Sequence, residues 1–256
     1  MPSSFAVPLL RAEWPAPTHV HAVVTTRAGG VSLPPWDSLN LGLHVGDDPA
    51  HVAENRERLL TALRGIAPAG TPQWLNQVHG TVVVEAEADA ARRATWTPDA
   101  DAVGTGVKEI PCMVMTADCL PVFFTDTGGS RVAVAHAGWR GLCNGVLEAT
   151  VATFNDPSKV LAWLGPAIGP DAFEVGEEVR NAFLQRHATA SACFRPSPNP
   201  GRWLASIDGL ARLRLGQAGV TRVFGGGLCT FSGKERFFSY RRDGQTGRMA
   251  AAIWMA

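Results

Sequence analysis

Residues 111–137, PCMVMTADCLPVFFTDTGGSRVAVAHA, decide the fold of this chain. Apolar runs of about five or six residues alternate there with short breaks of Asp, Thr and Gly, a pattern typical of buried strands joined by tight turns. The pattern predicts three strands, over 111–116, 120–125 and 131–136. These strands converge on Cys119 and His136, which stand at the ends of apolar runs.

Strands and helices alternate irregularly on both sides of this stretch. Further apolar runs predict strands at 20–26, 160–164 and 248–255, and a pair of short strands over 73–85. Helical spacing of apolar residues predicts helices at 49–64, 142–154, 177–185 and 208–218. A stretch rich in Pro, Ser and Asn before the last helix is expected to be a mobile loop. The irregular order favours an α+β fold with a single layered domain over residues 1–256, and not a regular Rossmann winding.

Composition narrows the classes of partner. The chain has 23 basic and 23 acidic residues and no basic stripe, which argues against nucleic acid. The start of the chain lacks the features of a secretory signal, and no apolar run is long enough to span a bilayer. We therefore expect a cytoplasmic protein without a membrane partner. Its five cysteines include no CxxC pair, so each cysteine is judged singly.

Three short segments carry residues suited to metal binding: NQVHG at 76–80, TADCLP at 116–121 and HAGWRG at 136–141. Each segment holds a candidate ligand at a chain reversal, namely His79, Cys119 and His136. One thiolate and two imidazoles suit Zn²⁺, and three protein ligands leave the fourth tetrahedral position free for catalysis. The alternative is that these are ordinary half-buried strand residues, because spacing cannot show that the three side chains meet.

Candidate substrate-binding residues flank these segments. Arg140 lies where a helix should begin, beside glycines whose free N–H groups could receive an anion. Arg27 and Asn40 lie in the long Gly/Pro-rich loop at 27–48, a type of loop that is often functional. The alternative is that the glycines only permit close packing and that the arginines are solvated. The glycine run at 225–227 lacks the spacing of a dinucleotide site.

The motifs resemble those of the bacterial YfiH-like family, also called laccase-domain proteins, which includes purine nucleoside phosphorylases and a peptidoglycan-editing enzyme. The resemblance spans nearly the whole chain, through TTRAGGVS, NQVHG, TADCLPV, HAGWRG, GPAIGP, FEVGEEV and FFSYRRDGQTGRMAAAIWM. It implies a layered α/β/β/α-type fold shared with cytotoxic necrotizing factor deamidases, and zinc bound by His79, Cys119 and His136. It also implies phosphate-dependent cleavage of adenosine, inosine and methylthioadenosine, with some adenosine deamination. One departure is Ala167, where relatives commonly carry cysteine.

On this interpretation His79, Cys119 and His136 are the catalytic centre, and the partners are a purine nucleoside and phosphate. Arg27 and Arg140 would hold the anion, while Asp118 or Glu174 would move a purine proton. The protein would be a monomer or a small homo-oligomer.

Three rival functions remain open at the level of sequence. Cys119 beside a histidine could serve a metal-free thiol hydrolase or deamidase. A cell-wall precursor editing amidase would hydrolyse an amide instead of using phosphate. A copper polyphenol oxidase is disfavoured because only His19-Val-His21 has the paired His-x-His form, although copper could still replace zinc at one site. The His-x-Glu and Pro-Cys-x-x-Cys pattern of cytidine deaminases is absent.

Overall fold

The computed structural model describes residues 7–256, which form two stacked β-sheets. The outer face of one sheet is covered by several helices and that of the other by a single helix. The strands are β1 (Leu9–Arg11), β2 (Val20–Thr25), β3 (Val83–Glu85), β4 (Ala102–Thr105), β5 (Cys112–Thr116), β6 (Leu120–Asp126), β7 (Val132–Ala137), β8 (Val160–Leu164), β9 (Glu174–Gly176), β10 (Phe194–Pro196), β11 (Arg202–Ala205), β12 (Arg222–Gly225) and β13 (Met249–Met255). The α-helices are α1 (Pro49–Arg64), α2 (Ala90–Thr95), α3 (Trp139–Asn144), α4 (Val146–Val151), α5 (Glu177–Arg186), α6 (Ile207–Gln217) and α7 (Tyr240–Asp243). Short 3-10 helices cover Leu43–Val45, Pro157–Lys159 and Ala188–Cys193.

The two large sheets share no strand. The six-stranded sheet has the order β12-β8-β6-β7-β4-β3, and the four-stranded sheet has the order β1-β2-β13-β5. A small third sheet has the order β10-β11-β9. The stretch rich in Pro, Ser and Asn forms the loop that joins the antiparallel strands β10 and β11.

Alternate residues of the central strands build separate cores. In β6, Phe123 faces the four-stranded sheet, whereas Val122 and Phe124 face the layer of α3 to α6. In β13, Ala251 packs between the sheets and Trp254 packs toward α1. Strands buried on both faces therefore appear as continuous apolar runs, which explains why the sequence gives a strong strand signal there. The layers have the order α/β/β/α, and the α+β class predicted from the sequence is confirmed.

Most predicted elements are present with small shifts of their ends. The strands predicted at 111–116, 120–125, 131–136, 160–164 and 248–255 correspond to β5, β6, β7, β8 and β13. Helix α1 begins at Pro49, and the Asp48 carboxylate accepts a hydrogen bond from Ala50 N at 2.8 Å, as expected for an N-cap.

Two predicted elements are wrong in detail. The helix predicted at 142–154 is broken into α3 and α4 by Gly145, whose φ of 107° lies in the left-handed region and cannot continue a helix. Residues 73–85 form only β3 and isolated bridges at Gln73 and Asn76, because side-chain hydrogen bonds hold this loop where a strand ladder was expected. Among residues 7–256, no helix has the length and apolar character needed to cross a membrane.

Candidate metal centre

The three predicted ligands converge on one point. The ligand atoms of His79, Cys119 and His136 all lie within 4.8 Å of one another, and His79 Nε2 is 3.8 Å from Cys119 Sγ. A tetrahedral Zn²⁺ with bonds of about 2.0–2.3 Å places its ligand atoms roughly 3.5 Å apart, so the spacing fits one such ion. His136 is buried, Cys119 is half-buried and His79 is exposed, which opens the centre to solvent on one side.

Asp101 orients His136 for metal binding. His136 Nδ1 donates to Asp101 Oδ1 at 2.8 Å, and the His136 backbone N–H donates to the Asp101 carbonyl at 2.7 Å. A proton held on Nδ1 leaves the lone pair of Nε2 free for a metal, and the carboxylate makes the ring a stronger ligand. Asp101 is fully buried, so its charge depends on these contacts.

The same carboxylate shapes the loop that carries His79. Asp101 accepts backbone hydrogen bonds from Val78 at 3.2 Å, from His79 at 3.0 Å and from Gly80 at 2.5 Å. These bonds support a φ of 59° at His79, an uncommon conformation for a residue with a side chain. Asp101 thus fixes two of the three ligands at once.

The Asn and Gln of the NQVHG segment anchor it to the sheet. Gln77 donates to the Met115 carbonyl at 2.8 Å and accepts from Met115 N at 2.7 Å, which reproduces a strand-like pairing with β5. Asn76 donates to Asp99 at 2.7 Å. These side-chain hydrogen bonds hold the segment in place, although it does not pair as a β-strand.

Cys119 is presented by a strained residue on its N-terminal side. Asp118 has a φ of 93° and is buried. Its carboxylate accepts from Thr230 Oγ1 at 2.6 Å and from Arg241 N at 2.7 Å. The C-terminal part of the chain therefore sets the direction of Cys119.

Close packing explains the two glycines of HAGWRG. A Cβ on Gly138 would lie 2.6 Å from His79 Cδ2 and 3.1 Å from Cys119 Sγ. A Cβ on Gly141 would lie 2.7 Å from the Gly80 carbonyl oxygen. Only glycine lets α3 approach the metal centre this closely. The role of these glycines is therefore to permit close packing, which was the alternative to an anion-binding role.

Three ionisable groups of the centre shift one another's pKa values. Burial would raise the pKa of Cys119, but the adjacent His136 and His79 outweigh it and lower the pKa to about 6. Burial would lower the pKa of His136, but the Cys119 thiolate and Asp101 raise it to about 9. For Asp101, hydrogen bonds from His136 and Gly80 outweigh burial, so its pKa is lowered. Without a metal, these shifts favour a thiolate beside an imidazolium, and a cation can take the place of the imidazolium proton.

A pocket of about 380 Å³ opens over the three ligands. Its other lining residues are His44, Gln77, Met115, Thr116, Ala117, Tyr240 and Arg248. They come from the loop before α1, from the loop that carries His79, from β5 and the residue after it, from α7, and from the residue that precedes β13. A small organic molecule could reach the metal centre through this pocket.

The structure does not bring the predicted substrate residues into this pocket. Arg27 donates to the Asp37 carbonyl at 2.9 Å and to the Asp37 carboxylate at 3.3 Å, and it lines a separate depression with Lys234. Asn40 is fully buried and donates to Asp47 at 2.8 Å. Arg140 is exposed and packs over the ring of Trp139, with 4.6 Å between guanidinium carbon and ring centroid.

The two proposed proton carriers are engaged elsewhere as well. The Asp118 carboxylate is occupied by Thr230 and Arg241, and the side chain is not among those lining the pocket. Glu174 accepts from Ser197 and from Asn199 on the small sheet. Neither carboxylate contacts a metal ligand directly.

Sequence reasoning missed Asp101, His44 and Arg248. Asp101 could have been suspected, because a metal-bound histidine usually donates its other ring nitrogen to a carboxylate or carbonyl. Its place before an apolar strand, next to Ala102, gives no partner by itself. His44 and Arg248 are 204 positions apart in the numbering and carry no local pattern that links them.

Known proteins share this architecture and these motifs. Residues 21–256 match a family described as multi-copper polyphenol oxidoreductase laccase. A purine nucleoside phosphorylase of Pseudomonas aeruginosa is 56% identical over 247 residues, which cover 96% of this chain and 98% of the relative. The purine nucleoside phosphorylase YfiH of Escherichia coli is 54% identical over 250 residues, with 96% and 98% covered.

Two solved structures superpose closely. A protein of Neisseria meningitidis is 48% identical with a TM-score of 0.89, and the match covers 96% of this chain and 98% of that one. A Bacillus licheniformis protein called YfiH is 30% identical with a TM-score of 0.86 and 93% of each chain covered. The chain therefore belongs to the YfiH-like, laccase-domain family that its motifs predict.

Proposed function

We propose that this protein is a zinc-dependent purine nucleoside phosphorylase that acts on adenosine, inosine and methylthioadenosine. The observation that carries the proposal is the group of His79, Cys119 and His136 at the floor of a pocket, with Asp101 fixing the tautomer of one ligand. Relatives more than half identical are named purine nucleoside phosphorylase, which supports the same reaction class here.

Each part of the site has a role in this reaction. A bound zinc ion would supply Lewis-acid polarisation of an oxygen on phosphate or water. Asp101 keeps His136 Nε2 available as a ligand, and Gln77 holds the His79 loop against β5. The pocket walls orient the nucleoside and limit the access of water, which would otherwise compete with phosphate.

The donor set supports one zinc ion over a copper oxidase. Among residues 7–256, His79, Cys119 and His136 form the one group of His, Cys, Asp or Glu side chains close enough to share a metal. Oxidation of phenols by a multicopper centre needs several clustered copper sites. Copper could still occupy this single site, since it binds nitrogen and sulfur ligands tightly.

We also propose a compartment and partners for the reaction. We place the reaction in the cytoplasm, with a nucleoside and phosphate as partners and neither nucleic acid nor membrane involved. Equal numbers of acidic and basic residues support this choice. Residues 1–256 would act as one catalytic domain, as a monomer or a small homo-oligomer.

The test is phosphate-dependent release of free purine from adenosine, inosine and methylthioadenosine by protein of known metal content. We expect Cys119→Ala to lose both zinc and turnover, while Cys193→Ala, which alters a half-buried cysteine away from the pocket, keeps both. Inosine formed from adenosine without phosphate would add the deaminase activity. Protein that holds zinc but leaves nucleosides unchanged would make the cell-wall precursor amidase the leading function.

A metal-free thiol hydrolase is the second candidate. One observation favours it: Cys119 Sγ lies 3.8 Å from His79 Nε2, a pairing of thiol and imidazole suited to nucleophilic catalysis. His136 and His79 also lower the pKa of Cys119 to about 6, which favours the thiolate. Native protein that contains no metal, yet is inactivated by a thiol-alkylating reagent, would favour this function over the phosphorylase.

A further inference from the structure

The pocket over the metal centre continues into a second one. His44, Tyr240 and Arg248 line both the pocket of about 380 Å³ and a neighbouring one of about 440 Å³ that reaches Thr246. We call this continuous space the cleft. One end of the cleft contacts the three metal ligands, and the other end is formed by the loop after α7.

Arg248 lines the cleft, and Arg56 lies close enough to affect the charge of His44. Among the described residues 7–256, neither Arg56 nor Arg248 has a carboxylate within ion-pair distance. Arg248 donates to the carbonyls of Thr246 at 2.9 Å and Gly247 at 3.1 Å, and Arg56 donates to the Leu41 carbonyl at 2.9 Å. Carbonyls orient the guanidinium groups but carry no full negative charge that would neutralise them.

The electrostatic environment of His44 reflects the same excess of positive charge. Burial lowers the pKa of His44, and the charges of Arg248 and Arg56 lower it further. Burial likewise lowers the pKa of Arg248, although Cys119 and Asp118 oppose this. An anion between these groups would relieve their mutual repulsion.

Thr116 and Thr246 line the cleft, although their hydroxyls are buried. Thr116 belongs to the first pocket and Thr246 to the second. Their side chains belong to residues that are only 2% and 1% exposed, and neither hydroxyl makes a hydrogen bond within the protein.

Asn40 fixes the position of Arg248. Its side-chain oxygen accepts from Arg248 N at 2.9 Å and from Gly42 N at 3.0 Å. A Cβ on Gly42 would lie 2.9 Å from Arg248 Cγ, so glycine makes room for the arginine stem. The loop at 27–48 therefore contributes to the cleft in two ways. Asn40 positions Arg248 through buried hydrogen bonds, and His44 lines the cleft itself.

We propose that Arg248 and His44, which line both parts of the cleft, form a binding site for inorganic phosphate beside the metal centre. A guanidinium and an imidazole N–H are donors that match the oxygens of phosphate. This inference rests on the proposed phosphorylase function, since it identifies where the second substrate binds. It replaces Arg27 and Arg140 as the phosphate-holding residues.

Binding of inorganic phosphate, measured by titration calorimetry on zinc-loaded protein, tests the site without turnover. We expect Arg248→Met to weaken phosphate binding by about ten- to a hundredfold, the loss typical of a charged hydrogen bond. Arg222→Met, which alters an exposed arginine on β12, should bind phosphate as the wild type does. His44→Asn changes an exposed residue and cannot fail by misfolding of the core; it should weaken binding several-fold.

Kinetic measurements then distinguish the phosphate site from the phosphorylase function. With inosine as substrate, Arg248→Met should raise the KM for phosphate more than it lowers kcat. If the wild type releases no purine yet binds phosphate through Arg248, the phosphorylase function fails and the anion site stands.

Three results would overturn the anion site. They are a wild type that binds no phosphate, an Arg248→Met variant that binds it normally at equal zinc content, and Arg248-dependent binding of adenosine monophosphate but not of inorganic phosphate. The last would mean that the cleft holds the phosphate ester of a larger substrate.

Discussion

At the scale of single residues, Asp101 contributes most to the centre beyond the ligands themselves. It accepts hydrogen bonds from His136 Nδ1 and from three consecutive amides that include His79 N. A buried carboxylate with this many donors is stabilised in its charged form, in line with its lowered pKa. Its charge also balances that of a bound cation.

The first prediction concerns this carboxylate. Asp101→Asn should weaken zinc binding by about ten- to a hundredfold, because the amide can no longer accept from every donor and the preferred tautomer of His136 is lost. Competition with a zinc-binding dye measures the affinity. Asp171→Asn, which changes an exposed carboxylate paired with Arg195 away from the pocket, is the matched control and should bind zinc normally. Equal affinity in both variants would contradict the role of Asp101.

The second prediction concerns Cys119 in protein stripped of metal. Alkylation requires the thiolate, whose fraction rises as the pH passes the pKa of about 6, so the rate should reach half its maximum near pH 6. An unperturbed cysteine would reach it near pH 8.5, about two and a half units higher. Iodoacetamide labelling followed by peptide mass analysis gives the rate at Cys119 separately from the other cysteines. A midpoint above pH 8 would contradict the thiolate–imidazolium pair.

At the scale of elements, the metal centre depends on how closely α3 approaches the His79 loop. Gly138 and Gly141 are the two places of closest approach, and Gly145 then breaks the helix. Strand β7 thus positions His136, and the glycines that follow within a few residues leave room for His79.

The third prediction tests this approach. Gly138→Ala should destabilise the fold by about 1–3 kcal/mol, since its Cβ meets the ring of His79 and the sulfur of Cys119. Urea denaturation measures the change, and zinc affinity should fall with it. Gly216→Ala in α6, where a Cβ meets nothing within 4 Å, should be neutral or stabilising by up to about 1 kcal/mol. A Gly138→Ala variant as stable as the wild type would show that the helix can move away at no cost.

At the scale of the whole molecule, the centre joins segments from both large sheets. Cys119 precedes β6 and His136 lies in β7 of the six-stranded sheet, while Gln77 ties the His79 loop to β5 of the four-stranded sheet. Arg248 immediately precedes β13. A bound ion would therefore link the two sheets at this edge.

The fourth prediction follows from this arrangement. Zinc at about a thousand times its dissociation constant should stabilise the native state by about 4 kcal/mol, because the unfolded chain lacks the assembled site. Thermal unfolding with and without added zinc should show a raised Tm for the wild type and for Cys193→Ala. Cys119→Ala should show little shift. A wild-type Tm that does not respond to zinc would count against a metal site of this affinity.

The sequence by itself determined the central strands, helix α1 and the three ligand segments. Strands buried on both faces produce long apolar runs, and Asp48 with Pro49 is a strong local start signal, so these features need no tertiary information. The family motifs identified His79, Cys119 and His136 together, and the structure brings these three side chains together.

Tertiary structure alone decided the rest. Asp101, His44 and Arg248 join the site through contacts between segments far apart in sequence, and no local pattern encodes a contact of that kind. The same holds for Arg27 and Asn40, whose polar atoms are engaged by Asp37, Asp47 and backbone groups of distant turns. A charged or amide side chain in a loop can meet either a substrate or its own protein, and only the packing of the sheets determines which one lies within hydrogen-bond distance.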